Sequence, residues 1–91
     1  MNKKNFLYIL IMENSELFKV GVTNDIEKRV SNIQTGNPNK IGIFFCNEME
    51  DAYKIESRIK IKYKKYIKNG EWYEGITPED IKKFIFKELI K

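Results

Sequence analysis

Two apolar segments near the start of the chain, separated by four polar residues, limit the possible folds more than any other feature. Phe6 to Met12 is a continuous apolar run, and Leu17 to Thr23 is rich in residues that favour β-strands. The intervening Glu13-Asn14-Ser15-Glu16 has the polar composition of a turn. We therefore expect an antiparallel β-hairpin at the start of the domain.

A helix is predicted directly after the hairpin. The apolar positions of its inner face recur every three or four residues and are Ile26, Val30 and Ile33. Asn24 followed by Glu27 three residues later matches the capping box that often precedes such a face. Gly36-Asn37-Pro38 ends the pattern, so this first helix is short.

A third strand is predicted from Ile41 to Cys46, a short apolar run with β-branched and aromatic residues. Because the run does not alternate with polar residues, we expect it to be buried on both faces. From Glu50 onwards the spacing predicts a long amphipathic helix that ends at Asn69-Gly70. Its apolar positions are Ala52, Ile55, Ile59, Tyr63 and Tyr66.

The C-terminal segment predicts a further helix. Thr77 is a typical N-cap residue, Pro78 suits the first helical position, and two acids follow. We expect this helix to run from Pro78 to about Ile90, with an apolar stripe of Ile81, Phe84, Ile85 and Leu89. A short aromatic segment, Glu71-Trp72-Tyr73-Glu74, lies between the last two helices.

These elements predict a single domain over residues 1–91, in the order β-β-α-β-α-(β)-α. At 91 residues the chain has room for one modest hydrophobic core. The predicted fold class is α/β, more strictly α+β, with a mainly antiparallel three-stranded sheet flanked by helices.

The basic residues are concentrated in one part of the chain, although the formal net charge is only +4. Between residues 54 and 68 a single acid, Glu56, is accompanied by Lys54, Arg58, Lys60, Lys62, Lys64, Lys65 and Lys68. Such a surface attracts polyanions, and the phosphate backbone of nucleic acid is the commonest partner for it in a soluble protein. A solvated helix face in a lysine-rich protein explains the charge equally well.

The histidine and cysteine content limits the chemistry. The chain has no histidine, which excludes the common zinc sites and any imidazole base, so a metal would be a hard cation bound by oxygen. The single Cys46 lies in an apolar run, which indicates a buried structural thiol and a reducing compartment. The expected location is intracellular and cytoplasmic, or the cytoplasm or nucleus of a host cell if the protein is viral. The first apolar run is too short to span a membrane and no signal-peptide cleavage site follows it, so no membrane association is expected.

Several short motifs occur in a characteristic order along the chain. They are Phe6-Leu7-Tyr8-Ile9-Leu10, Phe18-Lys19-Val20-Gly21-Val22-Thr23-Asn24, Glu27-Lys28-Arg29-Val30, Gln34-Thr35-Gly36-Asn37-Pro38, Ile55-Glu56 and Gly70-Glu71-Trp72-Tyr73-Glu74. In this order they resemble a compact branch of the GIY-YIG nuclease superfamily found in phages, large viruses and bacteria. The resemblance covers roughly residues 6–75, most of the chain.

The resemblance implies a metal-dependent endonuclease whose reaction centre combines four residues. Tyr8 matches the tyrosine of the family's first strand, and Lys19 matches the second-strand position. Arg29 matches the arginine of the first helix, and Glu56 the glutamate of a later helix. The chemistry of phosphodiester cleavage gives these residues roles: Glu56 is expected to bind one Mg²⁺ or Mn²⁺ and Arg29 to clamp the scissile phosphate, with Tyr8 or Lys19 as the base. Nucleic acid, with DNA favoured, is the expected partner, and a homodimer would supply two sites for a double-strand cut.

Other residues are expected to support this site. The basic residues predicted to bind nucleic acid are Lys28, Arg58, Lys60, Lys62, Lys64 and Lys65. Gly21 is predicted to be structural because a residue without a side chain permits a close approach. Trp72 is also predicted to be structural, packing against the sheet.

The motifs depart from the family pattern in three places. Leu7-Tyr8-Ile9 replaces Gly-Ile-Tyr, Lys19-Val20-Gly21 replaces Tyr-Ile-Gly, and Lys60 occupies a position where this branch often has a histidine. Two further functions are therefore considered: a nucleic-acid-binding module of the same fold that does not cleave, and a domain that contacts a protein partner. From the residues alone, every candidate side chain also has an ordinary structural interpretation.

Overall fold

The computed structural model describes residues 4–68 and 70–90, which form a five-stranded sheet with three α-helices. In chain order the elements are β1 (Phe6–Met12), β2 (Phe18–Thr23), α1 (Ile26–Gln34), β3 (Ile41–Glu48), α2 (Ala52–Lys62), a 3-10 helix (Lys64–Tyr66), β4 (Ile67–Lys68), β5 (Trp72–Tyr73) and α3 (Pro78–Leu89). The predicted α+β class and the order of the long elements are confirmed.

The strands lie in the order β3-β1-β2-β5-β4, and every neighbouring pair is antiparallel. The prediction of a three-stranded sheet is wrong, because β4 and β5 extend the sheet beyond β2. Strands of two residues are too short to show a periodic pattern in the sequence. Ile67 pairs with Tyr73 and Lys68 with Trp72, so the short aromatic segment becomes part of the sheet.

The first two strands form the predicted hairpin. Its register places Tyr8 opposite Gly21 and Leu10 opposite Lys19. In the turn, Asn14 has a φ of 63°, a left-handed conformation that asparagine tolerates better than most residues. The turn is therefore built from the polar residues that predicted it.

Two apolar clusters on opposite faces of the sheet hold the helices in place. On one face α2 and α3 complete a core made of Leu7, Ile9, Phe18, Val20, Val22, Ala52, Ile55, Ile59, Tyr73, Ile81 and Ile85. On the other face α1 covers a smaller cluster made of Tyr8, Leu10 and Ile41, with Ile26, Val30 and Ile33 packed against it. Because side chains alternate along a strand, neighbouring residues of β1 belong to different layers.

Two predicted helix boundaries are wrong. The N-cap of α1 is Asp25 rather than Asn24, and its carboxylate accepts a hydrogen bond from the Lys28 amide at 3.1 Å. The helix α2 ends at Lys62, after which the chain tightens into the 3-10 helix. A 3-10 helix repeats every three residues, so Tyr63 and Tyr66 kept the apparent helical spacing that misplaced this end. Asn69, part of the predicted end, lies outside the described residues.

The third strand is an edge strand and is not buried on both faces as predicted. Within the described part of the chain β3 pairs with β1 alone, and Ile43 is exposed. Phe44 and Phe45 are only partly buried. Cys46 is likewise only partly buried, against the cluster under α1. The apolar run was a sound signal for a strand but did not show which face would be covered.

The last helix agrees closely with its prediction. The Thr77 hydroxyl accepts a hydrogen bond from the Asp80 amide, and the Asp80 carboxylate accepts one from the Thr77 amide. Ile81 and Ile85 are buried, whereas Leu89 at the end of the predicted stripe is exposed. None of the helices described combines the length and the apolar composition that a membrane span requires.

Candidate active site

The outer edge of β2 is covered by the next strand over only part of its length. β5 pairs with Phe18 and Lys19, so within the described residues the edge from Val20 to Thr23 has no strand partner. A cavity of about 300 Å³ lies along this edge. Both layers of the fold contribute to its walls, and its polar lining residues are Tyr8, Lys19, Arg29, Glu56, Lys60, Glu71 and Tyr73.

All four predicted catalytic residues line this cavity, although they come from four different elements. Tyr8 and Lys19 belong to the sheet face that α1 covers, and Arg29 is a residue of α1 itself. Glu56 comes from α2 on the opposite face. The two layers can meet here because the edge of β2 is open. The fold therefore brings together side chains that lie far apart in the sequence.

Tyr8 is 2% exposed, and the end of its ring lies directly over Gly21. A Cβ atom at residue 21 would overlap the phenol, so the close approach expected at this glycine is made by Tyr8. Burial raises the pKa of Tyr8, while the positive charge of Arg29 acts in the opposite direction. The net direction differs from the lowered pKa that a tyrosine base would need.

The Lys19 ammonium lies between a carboxylate and an aromatic ring. It donates a hydrogen bond to Glu71 Oε2 at 2.6 Å, and its Nζ lies 5.7 Å from the centre of the Trp72 ring. The side chain of Lys19 is 15% exposed and that of Glu71 is 66% exposed. The hydrogen bond and charge of Lys19 lower the pKa of Glu71, so this carboxylate is ionised at neutral pH.

The guanidinium of Arg29 makes no hydrogen bond or ion pair with any residue that the structure describes. Arg29 is exposed on α1, next to Lys28. It lines both the main cavity and a shallow pocket at the start of α1 that Lys28 also lines. Arg29 therefore borders both the cavity and the pocket that Lys28 lines, and its hydrogen-bond donors are available for a ligand.

Glu56 is a largely enclosed carboxylate with a distant partner. Its side chain is 17% exposed, and Lys60 Nζ lies 3.8 Å from its Oε2, beyond hydrogen-bond distance. Burial raises the pKa of Glu56, and the charge of Glu71 acts in the same direction. Lys60 and Arg29 oppose the shift. A cation at this carboxylate would favour its ionised form.

The donor set suits a cation that takes few protein ligands. Among the residues described, no three or more His, Cys, Asp or Glu side chains are grouped closely enough to form a metal site. Mg²⁺ commonly binds through one or two carboxylates, with water and substrate phosphates completing its shell. Glu56 can provide one such carboxylate, and Glu71 lines the same cavity.

The family of the chain follows from a comparison with known protein families. The sequence profile of the T5orf172 domain matches residues 5–88, nearly the whole chain. The chain belongs to the T5orf172 domain family. Nuclease-like or nucleic-acid-related function characterises this domain at the level of the family. No curated protein and no solved structure shows significant similarity to the chain.

In this T5orf172 domain the residues predicted to bind nucleic acid do not share one environment. Lys60 lines the cavity and Lys28 the neighbouring pocket. Arg58 instead forms an ion pair with Glu88 of α3. The ammonium groups of two others lie over aromatic rings, Lys62 over Tyr63 and Phe84, and Lys65 over Tyr66. Lys64 is exposed.

Two cavity residues of the T5orf172 domain were not predicted to be functional. Glu71 and Tyr73 were recognised only as parts of an aromatic motif, yet both line the cavity. The pairing of Glu71 with Lys19 spans 52 residues, so no local spacing could indicate it. The presence of a second carboxylate in a motif that also carried the resemblance was the one signal available.

Proposed function

We propose that this T5orf172 domain is an endonuclease that hydrolyses phosphodiester bonds of nucleic acid, with DNA favoured, by a GIY-YIG-type mechanism using one Mg²⁺ or Mn²⁺. The observation that carries the proposal is the convergence of Tyr8, Lys19, Arg29 and Glu56 on one cavity. Four residues chosen by their order in the sequence, from four elements and two layers, would not be expected to meet by chance.

Phosphate binding is assigned to the positively charged side chains that line the cavity. Arg29 has unoccupied donors in a planar fork that matches two phosphate oxygens. Lys60 adds a positive charge on the opposite wall. Lys19 already donates to Glu71, which suits a cation that contacts or orients the phosphate better than an amine that must first lose a proton.

Glu56 is assigned to the divalent cation. When bound, the cation supplies charge neutralisation at the phosphate and activation of a water molecule. Glu56 holds a negative charge in an enclosed place where its attraction for a cation is weakly screened by water. Glu71, which is ionised and more exposed, adds negative charge at the mouth of the same cavity.

Tyr8 is assigned the role of the base that accepts a proton from the attacking water. Its phenol lies on the glycine at the centre of β2, and the Arg29 charge acts on it to favour the phenolate. Burial opposes that step, so Tyr8 is neutral in the free protein and first orients the water as a hydrogen-bond partner. A bound cation and Arg29 favour loss of the phenol proton to solvent, and the resulting phenolate can then accept a proton from the attacking water.

The proposal is tested by incubating supercoiled plasmid, single-stranded DNA and structured RNA with the protein and Mg²⁺ or Mn²⁺. The wild type is expected to cut at least one of them, and Arg29→Ala to reduce the rate about 100-fold or more because a charged donor at the phosphate is lost. Lys83→Ala, a charge change on the exposed side of α3, is the matched control and should cut normally. Equal rates for Arg29→Ala and the wild type would reject the assignment.

A binding module without cleavage is the second candidate, favoured by the Lys60 ammonium 3.8 Å from Glu56. A cation so close to the proposed metal ligand competes with the metal for that carboxylate. This candidate predicts salt-sensitive DNA binding in EDTA that does not increase when Mg²⁺ is added. The endonuclease predicts that the added cation strengthens binding.

The presence of one candidate active site among the described residues has a consequence for the products. A single site cuts one strand in each encounter, so supercoiled plasmid should be nicked before it becomes linear. Simultaneous cutting of both strands, with linear product formed at the outset, would indicate that two copies of the chain act together on the duplex.

A further inference from the structure

Tyr73 lines the proposed site and carries a buried hydroxyl that no described residue hydrogen-bonds. The residue is 1% exposed and belongs to β5, where its ring stacks on Phe18 with the centres 5.3 Å apart. Tyr73 also lines the cavity that contains Glu56. Its hydroxyl is inaccessible to solvent and has no hydrogen-bond partner among the described residues.

An unpaired buried hydroxyl is unusual and unfavourable. Most buried side-chain polar atoms in folded proteins have at least one hydrogen-bond partner. Leaving such a group unpaired destabilises the protein by the lost hydration of that group. A phenylalanine would keep the stacking on Phe18 and the apolar contacts of the core without this penalty. The hydroxyl therefore needs a partner that the described residues do not provide.

We propose that the Tyr73 hydroxyl donates a hydrogen bond to a phosphate oxygen when nucleic acid occupies the cavity and the side chains that cover this hydroxyl move aside. This inference deepens the proposed function and rests on it, by naming a further residue that contacts the reacting group. Tyr73 would act as a neutral donor beside the charged groups Arg29 and Lys60. Donors positioned in advance at the reacting group stabilise the charge of the transition state.

The local charges suit a donor rather than a base. Burial, together with the negative charge of Glu56, raises the pKa of Tyr73 to about 12. The hydroxyl thus keeps its proton at any pH at which the domain would be assayed. The loss of a neutral donor can be distinguished from the loss of a charged one. Removing the Tyr73 hydroxyl should leave the salt dependence of binding unchanged, whereas removing a lysine reduces it.

The test compares Tyr73→Phe with the wild type in two assays. One is the single-turnover rate of plasmid nicking with Mg²⁺. The other is the affinity for a nuclease-resistant phosphorothioate oligonucleotide, followed by the fluorescence of Trp72. This tryptophan is the only one in the chain, and the cavity residue Lys19 lies over its ring. Tyr66→Phe removes a hydroxyl outside the cavity and is the matched control.

The expected result is a nicking rate about 10- to 100-fold lower for Tyr73→Phe, the range for losing a hydrogen bond to a charged group. Its salt dependence and the behaviour of Tyr66→Phe should match the wild type. Thermal unfolding establishes that the variants are folded at the assay temperature. Tyr73→Met, which also lacks a donor, replaces Tyr73→Phe if that variant does not fold and should show the same loss.

Other outcomes separate this inference from the proposed function. If the wild type cuts and the folded Tyr73 variant cuts equally well, the inference is overturned and the nuclease assignment stands. If the wild type binds without cutting, the assignment fails, and weaker oligonucleotide binding by the variant alone still supports the contact; equal binding overturns it. If the wild type neither cuts nor binds, both are overturned.

Discussion

Tyr8 and Gly21 face each other across the β1–β2 hairpin, and the phenol of Tyr8 occupies the space that a side chain at residue 21 would need. This contact joins the first two motifs of the resemblance, which are separated in the sequence by the hairpin turn. It also holds the phenol against Gly21, which lines the same cavity. Gly21 thus contributes to the site because its lack of a side chain leaves room for the Tyr8 phenol.

Gly21→Ala is predicted to destabilise the domain by about 1–3 kcal/mol, the usual cost of forcing extra volume into a packed place. Gly42→Ala is the matched control, since a Cβ there would meet Ile11 at an ordinary 3.5 Å. Urea unfolding of both variants measures the difference. In a Tyr8→Leu background the cost of Gly21→Ala should shrink, because the overlapping phenol is gone. An equal cost in both backgrounds would contradict the account of this contact.

The stability of Glu56→Gln should depend on pH in a defined direction. The pKa of Glu56 is raised in the folded state, so ionisation of this carboxylate destabilises the fold as pH rises above about 4.5. Glutamine resembles the protonated form. In EDTA at pH 7.5 the variant should therefore unfold at the same or a higher temperature than the wild type, and any difference should disappear near pH 4. A variant that is much less stable at neutral pH would show that the ionised carboxylate supports the fold.

With Mn²⁺ present, the wild type should become more stable than Glu56→Gln, the reverse of the order expected in EDTA. A cation that binds only the folded wild type adds about 1.4 kcal/mol when its concentration is ten times the dissociation constant. Glu56→Gln should gain little, and Glu27→Gln, which changes an exposed carboxylate on α1, should respond like the wild type. The readout is thermal unfolding with and without Mn²⁺, and equal shifts for all three proteins would exclude Glu56 as the ligand.

Tyr8→Phe should retain the fold and lose most of the cleavage. The predicted loss is about 10²- to 10⁴-fold, the usual contribution of a general base. Because burial raises the pKa of Tyr8, the wild-type rate should increase with pH through the neutral and alkaline range, and the variant should lack this increase. Tyr8 stays protonated below about pH 10 in both the folded and the unfolded protein. The free energy of unfolding should therefore not change with pH as the cleavage rate does. A variant with the wild-type pH dependence would remove Tyr8 from the role of base.

The basic residues predicted to bind nucleic acid should separate into two groups. Arg58→Ala removes a donor to Glu88, whose side chain is only 4% exposed, so we expect a loss of about 1–3 kcal/mol in stability. Lys64→Ala should change stability by less than about 0.5 kcal/mol but reduce the salt dependence of DNA binding by about one charge. Urea unfolding and binding at several salt concentrations test both. The reverse pattern would place Arg58, rather than Lys64, on the nucleic acid.

The sequence predicted those parts of the fold that depend on local patterns. The hairpin followed from two apolar runs and a polar turn, and α3 followed from Thr77, Pro78 and Asp80. The errors arose where distant parts of the chain decide the outcome. The exposure of β3 depends on which strands lie beside it, and the two-residue strands exist only because β2 and β5 meet.

The sequence likewise predicted only part of the candidate site. Its four predicted catalytic residues were chosen by their order in motifs, and their meeting in one cavity required the structure. The ion pair between Lys19 and Glu71 and the unpaired hydroxyl of Tyr73 depend on how β5 joins the sheet. Neither could be predicted, because a two-residue strand carries too little local pattern to place its side chains.

The most direct test of the central claim is the rate of plasmid nicking by Glu56→Gln as Mg²⁺ is increased, beside the wild type and Glu27→Gln. The wild type and Glu27→Gln are expected to cut in a Mg²⁺-dependent manner. Glu56→Gln, although folded and at least as stable in EDTA, should be slower by roughly 100-fold or more at every concentration, since the cation supplies several kcal/mol of transition-state stabilisation. Cutting by Glu56→Gln at the wild-type rate would contradict the account.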